Sequence, residues 1–450
     1  MRTFSGAQAA RFASGNFTVS YKVEIDRTGL GSWVDVTTLQ GRDWVRQITI
    51  RDGVDDPCAV ATIGLQRSSW YLSLAPLMTT SQLNVGGTLV TLAKKMRIWV
   101  YIGQYGKGSS AVPSAGWTLI FSGRIFNVDW SSDEIQVEAR DFGGDIVDGQ
   151  IKAVKRYAFP AANSAQTVMK AILDTWAGST LPGTVALYSA NGTTGTPFNA
   201  IDSPGWSLKE YDQQEMPIYA ALDLISKQIG WVLKYRWNAS ANDFVFTWFD
   251  PGRSNTTPAY TFAPSSYFGI TECSIHLAEI RNEVRIFYTD AAGQPQTYVN
   301  SDAVSIAAYG GMTRSMKLAE EATSQINTAI EAAKMVNGAL SDLAQPTMGH
   351  TVEMPLFWPV EVCDVYKFSA NYVHYDSDQT LAVTGFQHNI GPDKATTTMN
   401  LRGKPSAGVR TWFERQAKQV RKQFGYANWQ GGEDESNQVP NGNFSQYTKG

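Results

Sequence analysis

Hydrophobic and polar positions alternate with a period of two through most of the first third of the chain. In "FTVSYKVEI", Phe17, Val19, Tyr21, Val23 and Ile25 fall on one face and Thr18, Ser20, Lys22 and Glu24 on the other. That is the pattern of a half-buried antiparallel strand. "VRQITIRDGVDDPCAVATIGL" repeats it around a turn running from Asp52-Gly53 to Pro57. "LAKKMRIWVYIGQY" and "WTLIFSGRIFNVDW" follow, and the last strand turns at Trp130-Ser131-Ser132-Asp133 into another that breaks at Gly143-Gly144. No helical pattern separates these strands, so the spacing predicts antiparallel hairpins rather than βαβ units, arranged as a barrel or sandwich.

Near residue 155 the period changes. "SAQTVMKAILDTWAG" carries Val168, Ile172, Leu173 and Trp176 at helical spacing, with Ser164 as N-cap and Gly178 as stop. A Gly-, Thr-, Ser- and Asn-rich stretch, "LPGTVALYSANGTTGTPFNAIDSPG", predicts a long loop. "EMPIYAALDLISKQIG" predicts a second helix, apolar at Ile218, Leu222, Ile225 and Ile229 and ended by Gly230. "WVLKYRWNASANDFVFTWFDPGR" reads as a hairpin turning at Asn238 to Asn242.

Strands resume with "ECSIHLAEI", "RNEVRIFYTD" and "PQTYVNS". Met316, Ala319, Ile326, Ile330, Ala333, Val336 and Leu340 then form an apolar stripe that predicts a long one-sided helix from about Ser315 to Leu343. Such a helix is on the order of 40 Å long. "HTVEMPLFWPVEVCDVYKFSA", "TLAVTGFQHNI" and "TTTMNLRGKP" return to strands, and a basic helix, "VRTWFERQAKQVRKQF", precedes an extended tail rich in Gly, Asn and Gln. The organisation expected is a β-rich region over 1–155, an inserted α/β domain over 156–260, a second β-rich region over 261–405 containing the long helix, and a basic helix and tail over 406–450. No simple tandem repeat is visible, only a similarity of style between the two β-rich regions.

Composition narrows the function classes. The 450 residues allow about two to four domains. With 43% hydrophobic and 18% charged residues a packed core is expected, and 14 Trp, 19 Tyr and 20 Phe favour strands and interfaces. A net charge of −3 argues against an electrostatic nucleic-acid binder. Cys58, Cys273 and Cys363 lack CxxC spacing, which argues against a disulfide framework or zinc site and fits assembly in a reducing cytosol. The start of the chain has no apolar signal core, and no apolar run has the ~18 residues of a membrane span.

Candidate chemistry is thin. His374, Asp376 and Asp378 share a face at strand spacing and could hold a cation, although a polar turn accounts for them as well. His276 alternates with Ile275 and Leu277 and reads as an exposed strand position. Asp55-Asp56, Glu320-Glu321 and Asp376/Asp378 are the carboxylate pairs a glycan hydrolase would need. The first reads as a turn and the second as a helix's polar face. There is no GxSxG elbow and no phosphate loop. Arg410, Arg415, Lys418, Arg421 and Lys422 are the best nucleic-acid candidates, but Trp412, Phe413 and Phe424 among them are spaced as a packing face. No catalytic, cofactor-binding or metal-binding residue and no cofactor is assigned, and no enzyme activity is expected.

Several segments together resemble the tail hub (baseplate hub) proteins of long-tailed bacteriophages. They are "FSGRIFNVDW" with "EARDFGGDIVD"; "EMPIYAALDLISKQIGWVLKYRW" with "FDPGR"; "LAEIRNEVRIFYTD"; "MPLFWPVEVCDVYKFSANYVHYDSDQTLAVTGFQHNI"; and "TTTMNLRGKPS", in order over about residues 30 to 408. Cys363-Asp364 departs from the Gly-Asp these proteins often place before a strand. The resemblance implies a β-rich α+β chain in which two tube-like antiparallel β-barrels flank an inserted α/β domain. It implies a homotrimeric ring in the virion tail, made in the host bacterial cytoplasm, that adapts a hexameric tail tube to a threefold tip. Implied partners are a tail tube or distal tail protein above and a spike, fibre or tail-tip protein below, with tape measure protein and viral DNA passing through the lumen. Competing readings are a hexameric distal tail ring, a glycan-binding or glycan-degrading tail protein stacking sugars on Trp237 and Trp248, and a secreted adhesin, which the missing signal disfavours.

Overall fold

The computed structural model describes residues 6–14, 17–26, 33–37, 45–66, 95–103, 116–131, 133–158, 165–176, 205, 210–238, 243–253, 255–266, 269–290, 292–318, 326, 328–345, 347–370, 377–403 and 405. The chain opens with a short helix, α1 (Gly6–Ser14), and seven strands: β1 (Thr18–Asp26), β2 (Trp33–Asp35), β3 (Val45–Gly53), β4 (Val60–Gln66), β5 (Lys95–Gly103), β6 (Thr118–Trp130) and β7 (Glu134–Asp141). All the pairings among these strands are antiparallel, as their alternation predicts. Val23, Ile25, Ile48, Ile50, Ile63, Ile98 and Val137 fill the core they enclose.

The middle of the chain begins with α2 (Gly143–Asp148), a helix where the Gly-Gly pair predicted only a break. It continues with β8 (Lys155–Ala158), α3 (Ala165–Trp176), β9 (Glu210–Gln213), α4 (Ile218–Ile229) and the hairpin β10 (Val232–Asn238) and β11 (Asp243–Phe249). Both predicted helices are present. Gly230 closes α4 at φ 65°, a left-handed conformation that glycine adopts without steric cost. Ser164, Gly178 and the turn residues 239–242 lie outside the described residues.

The last part runs β12 (Tyr260–Phe262), β13 (Gly269–His276), β14 (Glu283–Thr289), β15 (Pro295–Ser301), α5 (Ala303–Ala308), β16 (Ser315–Leu318), α6 (Ala329–Leu343), β17 (Thr347–Pro355), β18 (Val365–Phe368), β19 (Gln379–Ile390) and β20 (Ala395–Arg402). The long helix expected from about 315 is corrected here. Ser315–Leu318 is a strand lying parallel to β14, and the helix spans the 15 residues of α6, about 22 Å long. Met316 and Leu318 point inward from that strand with a period of two, and Ile330 is 70% exposed, so the apolar stripe was not one helical face. α6 instead buries Ala332, Met335, Val336 and Ala339. Thr328 caps it by accepting a hydrogen bond from the Glu331 amide. α6 and the strands β14 and β16 share one core with α3, α4, β10 and β11.

The remaining strands join both β-rich regions in one sheet. Its order is β13-β17-β20-β19-β3-β4-β7-β6-β5-β1-β2, with β18 also beside β19 and β12 beside β18. The chain is thus β-rich with a large, mainly antiparallel sheet, and the strand path among the described residues is open rather than closed into barrels. β19 joins its two halves: Gln379–Ala382 pair with β18, and Gly385–Ile390 leave that neighbour to pair with β3.

This order contains a repeat. The first module reads β3-β4-β7-β6-β5-β1 and the second β13-β17-β20-β19-β18-β12, the same path with each strand in the same chain position. Corresponding pairings are antiparallel in both, except that the three-residue β12·β18 pairing is parallel where β1·β5 is antiparallel. β3 and β13 each carry a bulge near their start, between Val45 and Gln47 and between Ile270 and Glu272. β14–β16, α5 and α6 are inserted between β13 and β17, where the first module has the turn between β3 and β4.

Candidate functional site

The candidate site is the seam between the two modules. β3 and β19 pair over six residues, from Gly385 opposite Gly53 to Ile390 opposite Ile48. A Cβ on Gly385 would stand 3.1 Å from the Asp52 carbonyl oxygen, so the close approach at the head of the ladder favours glycine.

Beside the ladder, "PLFWP" threads between two cores. Leu356 and Trp358 enter the first module's core, and Phe357 enters the second's, among Phe12, Phe262, Tyr366 and Phe368. Alternate side chains of an extended segment point to opposite sides, so three consecutive residues can anchor both modules. The Phe357 amide donates to Thr397 Oγ1 at 2.8 Å, and that hydroxyl lies 2.9 Å from His388 Nδ1.

Charged groups from the middle region pin the seam from one side. Lys234 on β10 is 2% exposed, and its ammonium donates to Asp52 Oδ1 at 2.6 Å and to the Asp56 carbonyl. Burial pushes the Asp52 carboxyl above its ordinary range, with Lys234 as the chief opposing influence. Asp141, at the end of β7, accepts amides from Ala59 at 2.7 Å and Gly143 at 2.8 Å. Burial, and then the charge on Asp52, push it up to about 8. Arg236, next along the same face of β10, donates to Glu361 at 3.1 Å and stands 3.6 Å from Asp364. Burial and then the charge on Glu361 raise Asp364, against Arg236. On the far side, Arg253 grips Asp342 of α6 with two bonds, at 2.8 and 3.0 Å, and reaches the Gly230 carbonyl at 2.6 Å.

Asp52, Ser122, Asp141, Lys234, Glu361 and His388 line a cavity of about 40 Å3. That is the scale of a water molecule or two, not of a substrate. Lys234 pairs with Asp52 and Arg236 with Glu361 across the elements that line it, so the arrangement fixes the two modules and the middle region in one orientation. Lys234 and Arg236 were missed in the sequence because charged residues alternating with Leu233, Tyr235 and Trp237 look like an outward face.

Cys363 has φ 68°, the left-handed conformation for which the resemblance led one to expect glycine at this position. Its amide donates to the Val383 carbonyl at 2.9 Å, and the thiol is buried beside Val232, Phe249 and Val362. Burial raises the Cys363 and Cys58 thiols to about 12, while Cys273 is exposed; none of the three forms a disulfide.

The other candidates do not converge. His374, Asp376, Glu320, Glu321 and the basic stretch Arg410, Arg415, Lys418, Arg421 and Lys422, with Trp412, Phe413 and Phe424, lie outside the described residues. Asp378 pairs with Lys367 at 2.7 Å on the surface. His276 is the last residue of β13. Asp55-Asp56 is the predicted turn, closed by the Asp56 amide donating to Gly53. Trp248 is corrected from an exposed sugar platform to a fully buried residue whose indole donates to Ser226 Oγ at 3.0 Å. Trp237 is half-buried, its ring edge-on to Phe244. Among the described residues no group of three or more His, Cys, Asp or Glu is placed to hold a metal ion, and no helix is long and apolar enough to cross a membrane.

No family model matches the chain, and no curated protein sequence does. Solved structures do share its fold. A tail protein from Neisseria meningitidis MC58 superposes with a TM-score of 0.51 at 13% identity, over 88% of this chain and 99% of that one. The 43 kDa tail protein of prophage MuSo2 from Shewanella oneidensis gives 0.51 at 13% identity, over 86% and 99%. The fold is therefore that of known tail proteins, in line with the resemblance carried by the sequence segments.

Proposed function

We propose that this chain is a structural tail hub protein of a bacteriophage virion. Three copies form a ring at the tail tip through which the genome leaves. The observation that carries the reading is the repeated strand order: each chain holds two modules of one topology, joined edge to edge by β3 and β19. Three such chains present six modules. The ring can then meet a sixfold tail tube or distal tail protein above and a threefold spike, fibre or tip protein below.

In this reading each module is a tube-like barrel unit whose open side is completed by its neighbour. The middle region and α6 form a brace that holds the two modules at a fixed angle. The tape measure protein and DNA pass through the lumen, and the role is mechanical rather than catalytic. The fold shared with two tail proteins and the mutual pairing of the seam charges support it. Native mass spectrometry of the full chain tests it. An assembly of three copies of 49.4 kDa is expected. Six copies would favour a distal tail ring instead, and a single copy at every concentration would overturn the proposal.

A further inference from the structure

The seam cavity is bordered by more hydrogen-bonding capacity than its charge pairs use. Ser122 on β6 lines it and is 1% exposed, and its Oγ has no hydrogen-bond partner among the described residues. A hydroxyl buried in this way is costly to leave unbonded. Lys234 carries three ammonium hydrogens, of which Asp52 Oδ1 and the Asp56 carbonyl take two. Asp52 accepts both Lys234 and the Gly53 amide on Oδ1, which leaves Oδ2 able to accept another donor.

Asp141 adds a fourth group. Each of its oxygens already accepts an amide, Oδ2 from Ala59 and Oδ1 from Gly143. Burial pushes its carboxyl up to about 8, so at neutral pH it holds a proton, and the hydroxyl so formed needs an acceptor of its own. These four residues reach one space from β3, β6, β7 and β10. On the second module's side the polar groups are already engaged. Glu361 accepts the Trp237 amide on Oε1 and Arg236 on Oε2, and His388 Nδ1 lies against Thr397 Oγ1.

We infer that the cavity is a hydration site, in which ordered water bridges Ser122 and Asp52 of the first module to Lys234 of the middle region. Its volume of about 40 Å3 exceeds the ~10–15 Å3 that one water needs, and these groups supply the two to four polar partners such a water requires. Water suits the set better than an ion does. It accepts from Lys234 and donates to Asp52 in the same place, whereas a metal ion would meet the ammonium and an anion the carboxylate. A bridging water is nearly as favourable in enthalpy as a direct hydrogen bond, so it forms part of the joint. The site lies within one chain and holds whatever number of copies assembles, so it stands apart from the ring proposed above.

A high-resolution crystal structure of the full chain tests the site directly. A water peak within about 3.2 Å of both Ser122 Oγ and Lys234 Nζ is expected. Featureless density there, or a metal ion with oxygen ligands at about 2.0–2.6 Å, overturns the inference. Ser122→Ala asks the same question in solution, because the two cases differ in sign. Where water is bound, the change removes one of its hydrogen bonds and lowers the urea midpoint of unfolding. In a dry cavity it removes a buried hydroxyl that nothing satisfies, and the midpoint rises. A lowered midpoint is expected, and an unchanged or raised one overturns the site. The crystal measurement needs no variant, so a substitution that fails to fold leaves the test intact.

Discussion

Replacing Lys234 with Met tests whether the buried charges hold the modules together. Met keeps an unbranched chain of similar length, so packing is largely preserved. What is lost are the charge-assisted bonds to Asp52 Oδ1, at 2.6 Å, and to the Asp56 carbonyl. Asp52 stays behind in a site whose burial already raises its carboxyl. It can remain charged and unpaired, for which about 3–5 kcal/mol is usual, or it can take up a proton. Protonating a carboxyl of ordinary pKa ~3.9 at pH 7 costs about 4 kcal/mol, so proton uptake sets a ceiling near that figure. The expected loss in urea unfolding, followed by tryptophan fluorescence, is about 3–4 kcal/mol at pH 7. Because the variant would bind a proton on Asp52 that the unfolded chain releases, the loss should shrink by up to about 1.4 kcal/mol for each pH unit from 7 towards 5. Adding Asp52→Asn should recover most of it, since the Asn oxygen still accepts the Gly53 amide. A loss below about 1 kcal/mol, or one that does not change with pH, would refute the reasoning.

Three further outcomes follow from the same geometry. Cys363→Gly should be nearly neutral, because relief of the left-handed backbone at φ 68° offsets the lost thiol packing, whereas Cys363→Val should cost more than about 2 kcal/mol by thermal melting. Asp141, raised to about 8, binds a proton in the folded chain that the unfolded chain has lost, so its contribution to stability is full below about pH 4 and disappears as pH rises through 8; Asp141→Asn should flatten the fall in melting temperature over that window. Phe357→Ala, which empties a fully buried ring site at the seam, should cost about 3–5 kcal/mol in chemical unfolding.

The hairpins were legible because alternation and turn residues are local: β3 and β4, β6 and β7, and β10 and β11 each declare themselves within some twenty residues. The ends of α4 were equally plain from its apolar face and Gly230. The seam was not legible, because Gly385–Ile390 finds its partner in Ile48–Gly53, more than three hundred residues away. The start of α6 was misplaced because Met316 and Leu318 fit a strand as well as the edge of a helical stripe. α1 was missed because "GAQAARFAS" has one large apolar residue, Phe12, which the second module's core buries. The repeat of the two modules was not legible either. It is preserved as strand order and bulge position, which no local pattern reports.

The most direct test of the account is an electron-microscope projection of the purified assembly down its axis. Six similar lobes around a lumen, in a particle whose mass is three times 49.4 kDa, are predicted. Three lobes, a twofold particle, or six lobes at six times that mass would contradict it.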